Sequence, residues 1–232
     1  MDDLEKTVVI LQQRIQHLLH QKDARSRILI ALAGVPGSGK STVTDALLRA
    51  IGKTDGSMAN TSVLPMTQDG FHHTKAKLST FDDPDYAFHR RGAPFTFDVE
   101  AFISLVMRLR DTPVTDCDEP EVVITAPSFD HAIGDPIPDA ISISSRCRVV
   151  IVEGNYTLLD QDPWRRIAEV VDDKWFVDIQ PEVARERLSR RHLQAGIEKT
   201  PEKARQRAEE NDLPNGEMIR SHLIRPDIRI FN

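Results

Sequence analysis

Leu4, Val8, Leu11, Ile15, Leu18 and Leu19 recur at three- and four-residue intervals, which predicts an amphipathic helix packed on a sheet. The unbroken apolar run Ile28 to Leu32 then reads as a buried strand, and Val43, Ala46, Leu47 and Ala50 return to helical spacing. Beyond the polar, turn-rich stretch 52–62, Val63, Leu64 and Met66 predict a short strand that delivers Asp69 at its end, beside the first strand. Asp98 has the character of an N-cap for a helix carrying Phe102, Leu105, Val106 and Leu109, with Pro113 just beyond its end. Val122 to Thr125 and Ile141 to Ile143 are strand-like. Val149 to Val152 is the strongest buried-strand signal, closed by Glu153-Gly154, and Trp175 to Ile179 leads into a helix from Pro181. Thr74 to Phe97, rich in Asp, Arg, His and Pro, shows little periodicity and predicts a loop excursion over the substrate side without packed elements.

Strands that alternate with helices imply an α/β fold with a parallel sheet flanked by helices. With 232 residues, 40% hydrophobic content and no internal repeat, one domain spanning 1–232 is expected, residues 1–25 forming the packed helix. A net charge of −6 argues against a general affinity for nucleic acid, whose phosphates are gripped by clustered Lys and Arg. Cys117 and Cys147 form no C-x-x-C pair, so neither a disulfide framework nor a zinc site is indicated. Asp2, Asp3 and Glu5 stand where a secretory signal carries positive charge, and no stretch reaches transmembrane length. These features together predict a cytoplasmic protein without membrane or nucleic-acid partners; its oligomeric state is not legible.

The chemistry concentrates after the first strand. Gly34, Val35, Pro36, Gly37, Ser38, Gly39, Lys40 and Ser41 fit G-x-x-x-x-G-K-[ST], with Thr42 next in line, between a strand and a helix. Glycines let backbone N–H groups curl around a polyphosphate, Lys40 reaches its outer phosphates, and the Ser41 hydroxyl can ligate Mg²⁺. The positive end of the following helix points at the same anion. Asp69, within Gln-Asp-Gly-Phe-His-His, could accept a proton from a substrate hydroxyl. Glu153, ending an apolar strand, stands where an acid can hold Mg²⁺ directly or through water. Arg185, Arg187, Arg190 and Arg191 crowd one helix, and guanidiniums that close over a moving phosphoryl group suit such chemistry, with Arg190 and Arg191 the chosen pair. His72, His73, His89, His131 and His192 lack zinc spacing; His72 and His131 suit substrate hydrogen bonding.

These residues resemble the uridine kinase, phosphoribulokinase and bacterial-type pantothenate kinase group of P-loop kinases. The carriers are Gly34 to Ser41, Gln68-Asp69-Gly70-Phe71-His72, Phe81-Asp82-Asp83-Pro84-Asp85, Arg91-Gly92-Ala93-Pro94-Phe95-Thr96-Phe97-Asp98 and Glu153-Gly154-Asn155-Tyr156. The resemblance implies the P-loop NTPase fold with a small Arg-rich helical lid at about 181–212. It further implies ATP and Mg²⁺ as cofactors and a small-molecule hydroxyl acceptor: a nucleoside, a sugar or a pantothenate-like compound. Asp69 becomes the catalytic base, Lys40, Arg190 and Arg191 its catalytic partners, and Ser41 with Glu153 the metal-binding pair. Asp82 or the nearby Arg91 is placed facing the acceptor, with His72, Phe129, His131, Asn155 and Tyr156 on the same side. Uridine kinases carry Tyr where this chain has Phe129 and a further lid Arg where it has Gln194, while Arg90-Arg91-Gly92-Ala93-Pro94 looks more like pantothenate kinases and nucleoside or sugar kinase-like proteins.

The P-loop alone promises only phosphate binding, so a nucleotide-dependent switch and a catalytically weak metabolite sensor are the alternatives to a kinase. The N-K-x-D of guanine-specific switches is absent, and intact Lys40, Ser41, Asp69 and Glu153 argue against a sensor.

Overall fold

The computed structural model describes residues 3–52, 63–130 and 132–232; the turn-rich stretch expected at 52–62 falls, apart from Gly52, outside them, as does His131. The chain begins with α1 (Asp3–Gln21), β1 (Ile28–Gly34), α2 (Lys40–Ile51) and β2 (Val63–Thr67), followed by the short helices α3 (Lys75–Leu78) and α4 (Pro84–His89). It continues through α5 (Val99–Asp111), β3 (Val123–Asp130), β4 (Asp135–Ser144), β5 (Val149–Glu153), α6 (Arg165–Val170) and β6 (Asp173–Asp178). α7 (Pro181–Gln194), α8 (Pro201–Arg207), a π-helical turn (Ala208–Asp212), α9 (Leu213–Ser221) and β7 (Ile228–Phe231) complete it.

Five strands form one parallel sheet in the order β2-β5-β1-β6-β7. Side chains alternate across a strand, so the apolar runs of β1 and β5 feed two cores. Ile28, Ile30, Leu32, Val149 and Ile151 meet Val8, Leu11, Ile15 and Leu18 of α1 and Val43 and Leu47 of α2. Leu29, Ala31, Ala33, Val150 and Val152 face the other way, toward Phe102, Val106 and Leu109 of α5 and Trp164. Helices on both faces are why these central strands are continuously apolar. The α1 amphipathic stripe therefore lies on the sheet, as its periodicity requires.

The structure departs from the sequence reading in three places that matter for the site. β2 pairs with β5 and not with β1, so Asp69 is delivered one strand further from the phosphate loop, with β5 between them. Pro65 is tolerated because β2 is an edge strand. β3 and β4 do not join the sheet; they pair antiparallel as a separate hairpin, with a register shift between Ala126 and Ser128. Residues 74–97 are not an unstructured excursion: Thr74 caps α3 by accepting from the Lys77 N–H, and Asp83 caps α4 by accepting from that of Tyr86. Helices of four and six residues are too short to leave a periodic pattern, and the caps create them.

Candidate active site

Three neighbouring strands end at the same edge of the sheet, where open α/β folds bind ligands. β1 runs into the phosphate loop. Gly37 (φ 75°) and Gly39 (φ 86°) occupy the left-handed region that other residues avoid, and Ser38 N–H donates to the Val35 carbonyl at 3.1 Å to close the turn. α2 then starts at Lys40, leaving its first N–H groups directed at the loop's concavity. A cavity of about 250 Å³ lies there, lined by Gly37, Gly39, Lys40, Ser41, Thr42, Arg187, Leu188 and Arg191. Ser38 Oγ is buried without a partner among the described residues. Val35 and Pro36 instead support the loop from behind, beneath Gly216 of α9.

Lys40 Nζ donates to the Gly34 carbonyl at 3.1 Å and to Asn155 Oδ1 at 2.6 Å. Desolvation at this enclosed position lowers its pKa from 10.5 to about 8, against the opposing pull of the Glu153 and Asp69 carboxylates; the Arg191 charge lowers it further. Glu153, 9% exposed, accepts from Ser41 Oγ at 2.7 Å and from Thr44 Oγ1 at 3.0 Å. β5 thus contributes Glu153 to the metal-binding pair expected with Ser41, and Asn155 two residues on.

β2 ends in a 3₁₀ turn, Gln68–Phe71, capped by Thr67, which holds Asp69 half-buried within electrostatic reach of Lys40. Gln68, part of the Gln68–His72 motif but given no role from sequence, is buried and its Oε1 accepts from the Tyr156 N–H at 3.0 Å, tying the end of β2 to the segment after β5. Gly70 is required for a different reason: a Cβ there would lie 2.1 Å from the Pro127 carbonyl oxygen of the hairpin. His72 shares 2.8 Å between Nδ1 and the Asp69 carbonyl oxygen, and its ring lies between Phe97 and Phe129, 4.0 and 4.8 Å away. His72 therefore stands between Asp69 and Phe129.

Other expected site residues are placed differently. Tyr156 is fully buried; its hydroxyl donates to the Gly92 carbonyl at 2.6 Å, and burial pushes its pKa up. It is a core residue and not a substrate contact, because its polar end is already committed and its ring packs against Phe97 and Trp164. Arg91 is equally committed: it donates to the carbonyls of Gly134 at 2.6 Å and His73 at 2.9 Å, pairs with Asp135 at 3.2 Å and lies over the Phe129 ring. Its guanidinium fastens the hairpin to the loop instead of projecting toward an acceptor. Asp82 is exposed just ahead of α4. On α7, Arg191 reaches the phosphate-loop cavity, but Arg190 lies in a separate cleft with Arg185, Ser189 and Arg205. Arg187, and not Arg190, lines that cavity beside Arg191. The buried Ala184 and Leu188 seat α7 on Gly37 and turn Arg187 and Arg191 toward the loop.

Among the described residues, no helix is long and apolar enough to cross a membrane. The sheet order, the glycine loop between β1 and α2 and the lid helices define a P-loop kinase fold. No family model matches the chain. It is 39% identical over 219 residues to "Putative uridine kinase C227.14" of Schizosaccharomyces pombe, spanning 94% of this chain and 87% of that one. Among solved structures it is similar to a "putative fructose transport system kinase" from Silicibacter sp. TM1040, with a TM-score of 0.76, 30% identity and 99% of each chain covered. It is also similar to YFH7 from Saccharomyces cerevisiae, with a TM-score of 0.81, 25% identity, and 100% and 99% covered. The chain belongs to the uridine kinase-like family of P-loop kinases.

Proposed function

We propose that this protein transfers the γ-phosphoryl group of ATP to a hydroxyl of a small metabolite. The observation that carries the reading is convergence: β1, β5 and β2 bring Lys40, Glu153 and Asp69 to one sheet edge, and both carboxylates act electrostatically on the Lys40 ammonium. The donor set suits Mg²⁺, since Ser41, Thr44 and Glu153 present a compact group of hard oxygens beside the phosphate loop. Bound there through Ser41 and Glu153, the ion would neutralise phosphate charge. Asp69 accepts the proton as the acceptor oxygen bonds to the γ-phosphorus, the bond from that phosphorus to the bridging oxygen breaks, and ADP leaves. Arg187 and Arg191 face the charge that spreads over the moving group. Lid closure would exclude water, so ATP hydrolysis without acceptor should be slow.

The acceptor is a nucleoside, a sugar or a pantothenate-like compound; the names of the relatives, uridine kinase and fructose transport system kinase, support the first two classes. The test is ADP release from Mg·ATP against uridine, cytidine, nicotinamide riboside, pantothenate, ribulose 5-phosphate and free ketoses and pentoses, with Asp69→Asn as the blank. A hit lost in the blank is the expected result. Wild-type turnover by Asp69→Asn would remove Asp69 from the role of base.

A further inference from the structure

The lid and the loop preceding α5 share a buried polar seam. In the π-helical turn Ala208–Asp212 the Leu213 N–H bonds back to the Ala208 carbonyl, five residues earlier. Pro214 follows and has no N–H to offer the Glu210 carbonyl four residues before it. Arg90 Nη1 donates to that carbonyl at 3.3 Å, and its Nη2 donates to Asn215 Oδ1 at 3.0 Å. Asn211 Nδ2 returns a bond to the Arg91 carbonyl at 3.2 Å. Asn211 and Asn215 are 3% and 4% exposed, so the bonds they make are interior and costly to lose, while Arg90 Nε and Asn211 Oδ1 are buried without a partner among the described residues.

One end of the seam leads to the phosphate loop and the other to Asp69. Asp212, the last residue of the turn, lies 2.7 Å from Nε2 of the buried His192, and His192 adjoins Arg191. On the other side, Gly92 accepts from Tyr156, whose N–H is held by Gln68 next to Asp69. We infer that Arg90 is a positioning residue that makes the 90–97 loop respond to nucleotide bound at the phosphate loop, through the π-helical turn of the lid. This rests on the nucleotide-binding reading above. A guanidinium spanning the Glu210 carbonyl and Asn215 requires the lid helix and the loop to shift together. Movement of α7 about the phosphates is therefore transmitted to the 90–97 loop without that loop touching the nucleotide.

The experiment is amide hydrogen exchange of the full chain with and without Mg·AMP-PNP. In the wild type the nucleotide should slow exchange about tenfold both at the phosphate loop and at Gly92, Ala93 and Thr96, whose N–H groups are hydrogen-bonded within the 90–97 loop. In Arg90→Gln, AMP-PNP should bind within about twofold of wild type and still protect 34–42, while the 90–97 response disappears. Pro214→Ala, which returns a donor to the Glu210 carbonyl and keeps Arg90, should weaken the same response, and it carries the test should Arg90→Gln fail to fold. A 90–97 response that is absent in the wild type or undiminished in the folded variants overturns the coupling. Absence of AMP-PNP binding by the wild type overturns the kinase reading itself, and the coupling with it.

Discussion

Lys40 Nζ donates to Asn155 Oδ1 over 2.6 Å, joining the phosphate loop to the segment that follows β5. The bond holds a charged side chain that desolvation pushes toward neutrality, so phosphate binding at this loop should be coupled to proton uptake.

With its pKa at about 8 in the folded chain against 10.5 ordinarily, Lys40 is charged in both states below about pH 8. Between those values the unfolded chain holds a proton that the native state lacks, so this group's contribution makes stability rise with pH across that window. Nucleotide affinity has the opposite trend. Phosphate needs the ammonium, so the association constant for AMP-PNP should fall about tenfold per pH unit above pH 8. Calorimetry at pH 9 in two buffers of different ionisation enthalpy should show uptake of close to one proton, absent in Lys40→Met. Equal affinity at pH 7 and pH 9 would count against the lowered pKa.

Glu153 accepts from both Ser41 and Thr44, so it orients the hydroxyl as well as offering its own oxygens. Glu153→Gln should raise the Mg²⁺ concentration needed for half-maximal activity by about 10- to 100-fold, with ATP affinity in saturating Mg²⁺ much less affected. A Mg²⁺ titration of the initial rate decides it; an unchanged midpoint would remove Glu153 from the metal site.

Arg187 and Arg191 line the phosphate cavity, whereas Arg190 opens to a different cleft. Replacing either of the first two by Ala should lower kcat by at least about a hundredfold, and Arg190→Ala should stay within about threefold of wild type. Steady-state rates under saturating substrates separate these outcomes. Severe losses in Arg190→Ala and Arg191→Ala, with Arg187→Ala near wild type, would restore the pair expected from sequence.

The difference between Arg190 and Arg187 shows where sequence reasoning stops. The phosphate loop was legible because its requirements are local: Gly37 and Gly39 need positive φ, and the apolar run before Gly34 supplies the strand. The Asp98 cap was legible for the same reason, its side chain accepting from the Ala101 N–H as the motif predicts. Glu153 followed from the burial pattern of β5. What could not be read was the phase of α7 against the loop, since four arginines in seven residues leave the choice to where Ala184 and Leu188 are buried. The insertion of β5 between β1 and β2 is likewise a long-range pairing choice, invisible in either strand alone. Arg91 and Asp135 are separated by 44 positions, and nothing near either residue announces their pairing. β7, four residues at the sheet edge, carries too little pattern to stand out.

Far from the chemistry, Arg14 of α1 grips Asp173 at the start of β6 with two parallel bonds, Nε to Oδ2 at 2.9 Å and Nη2 to Oδ1 at 2.7 Å. Asp173 is fully buried and also accepts from Trp175 Nε1 at 2.7 Å, while the Arg14 side chain is 35% exposed. Removing the arginine strands a buried carboxylate, which ordinarily costs about 3–5 kcal/mol, but water can reach the position it vacates. Arg14→Ala should therefore destabilise the chain by about 2 kcal/mol, after discount for that solvent access. Asp173→Asn removes the stranded charge, so adding it to Arg14→Ala should cost less than the two single effects summed. Urea denaturation of the four proteins in this cycle measures both quantities. A loss below about 0.5 kcal/mol in Arg14→Ala would mean that the Arg14–Asp173 pair adds little to what holds α1 on the sheet.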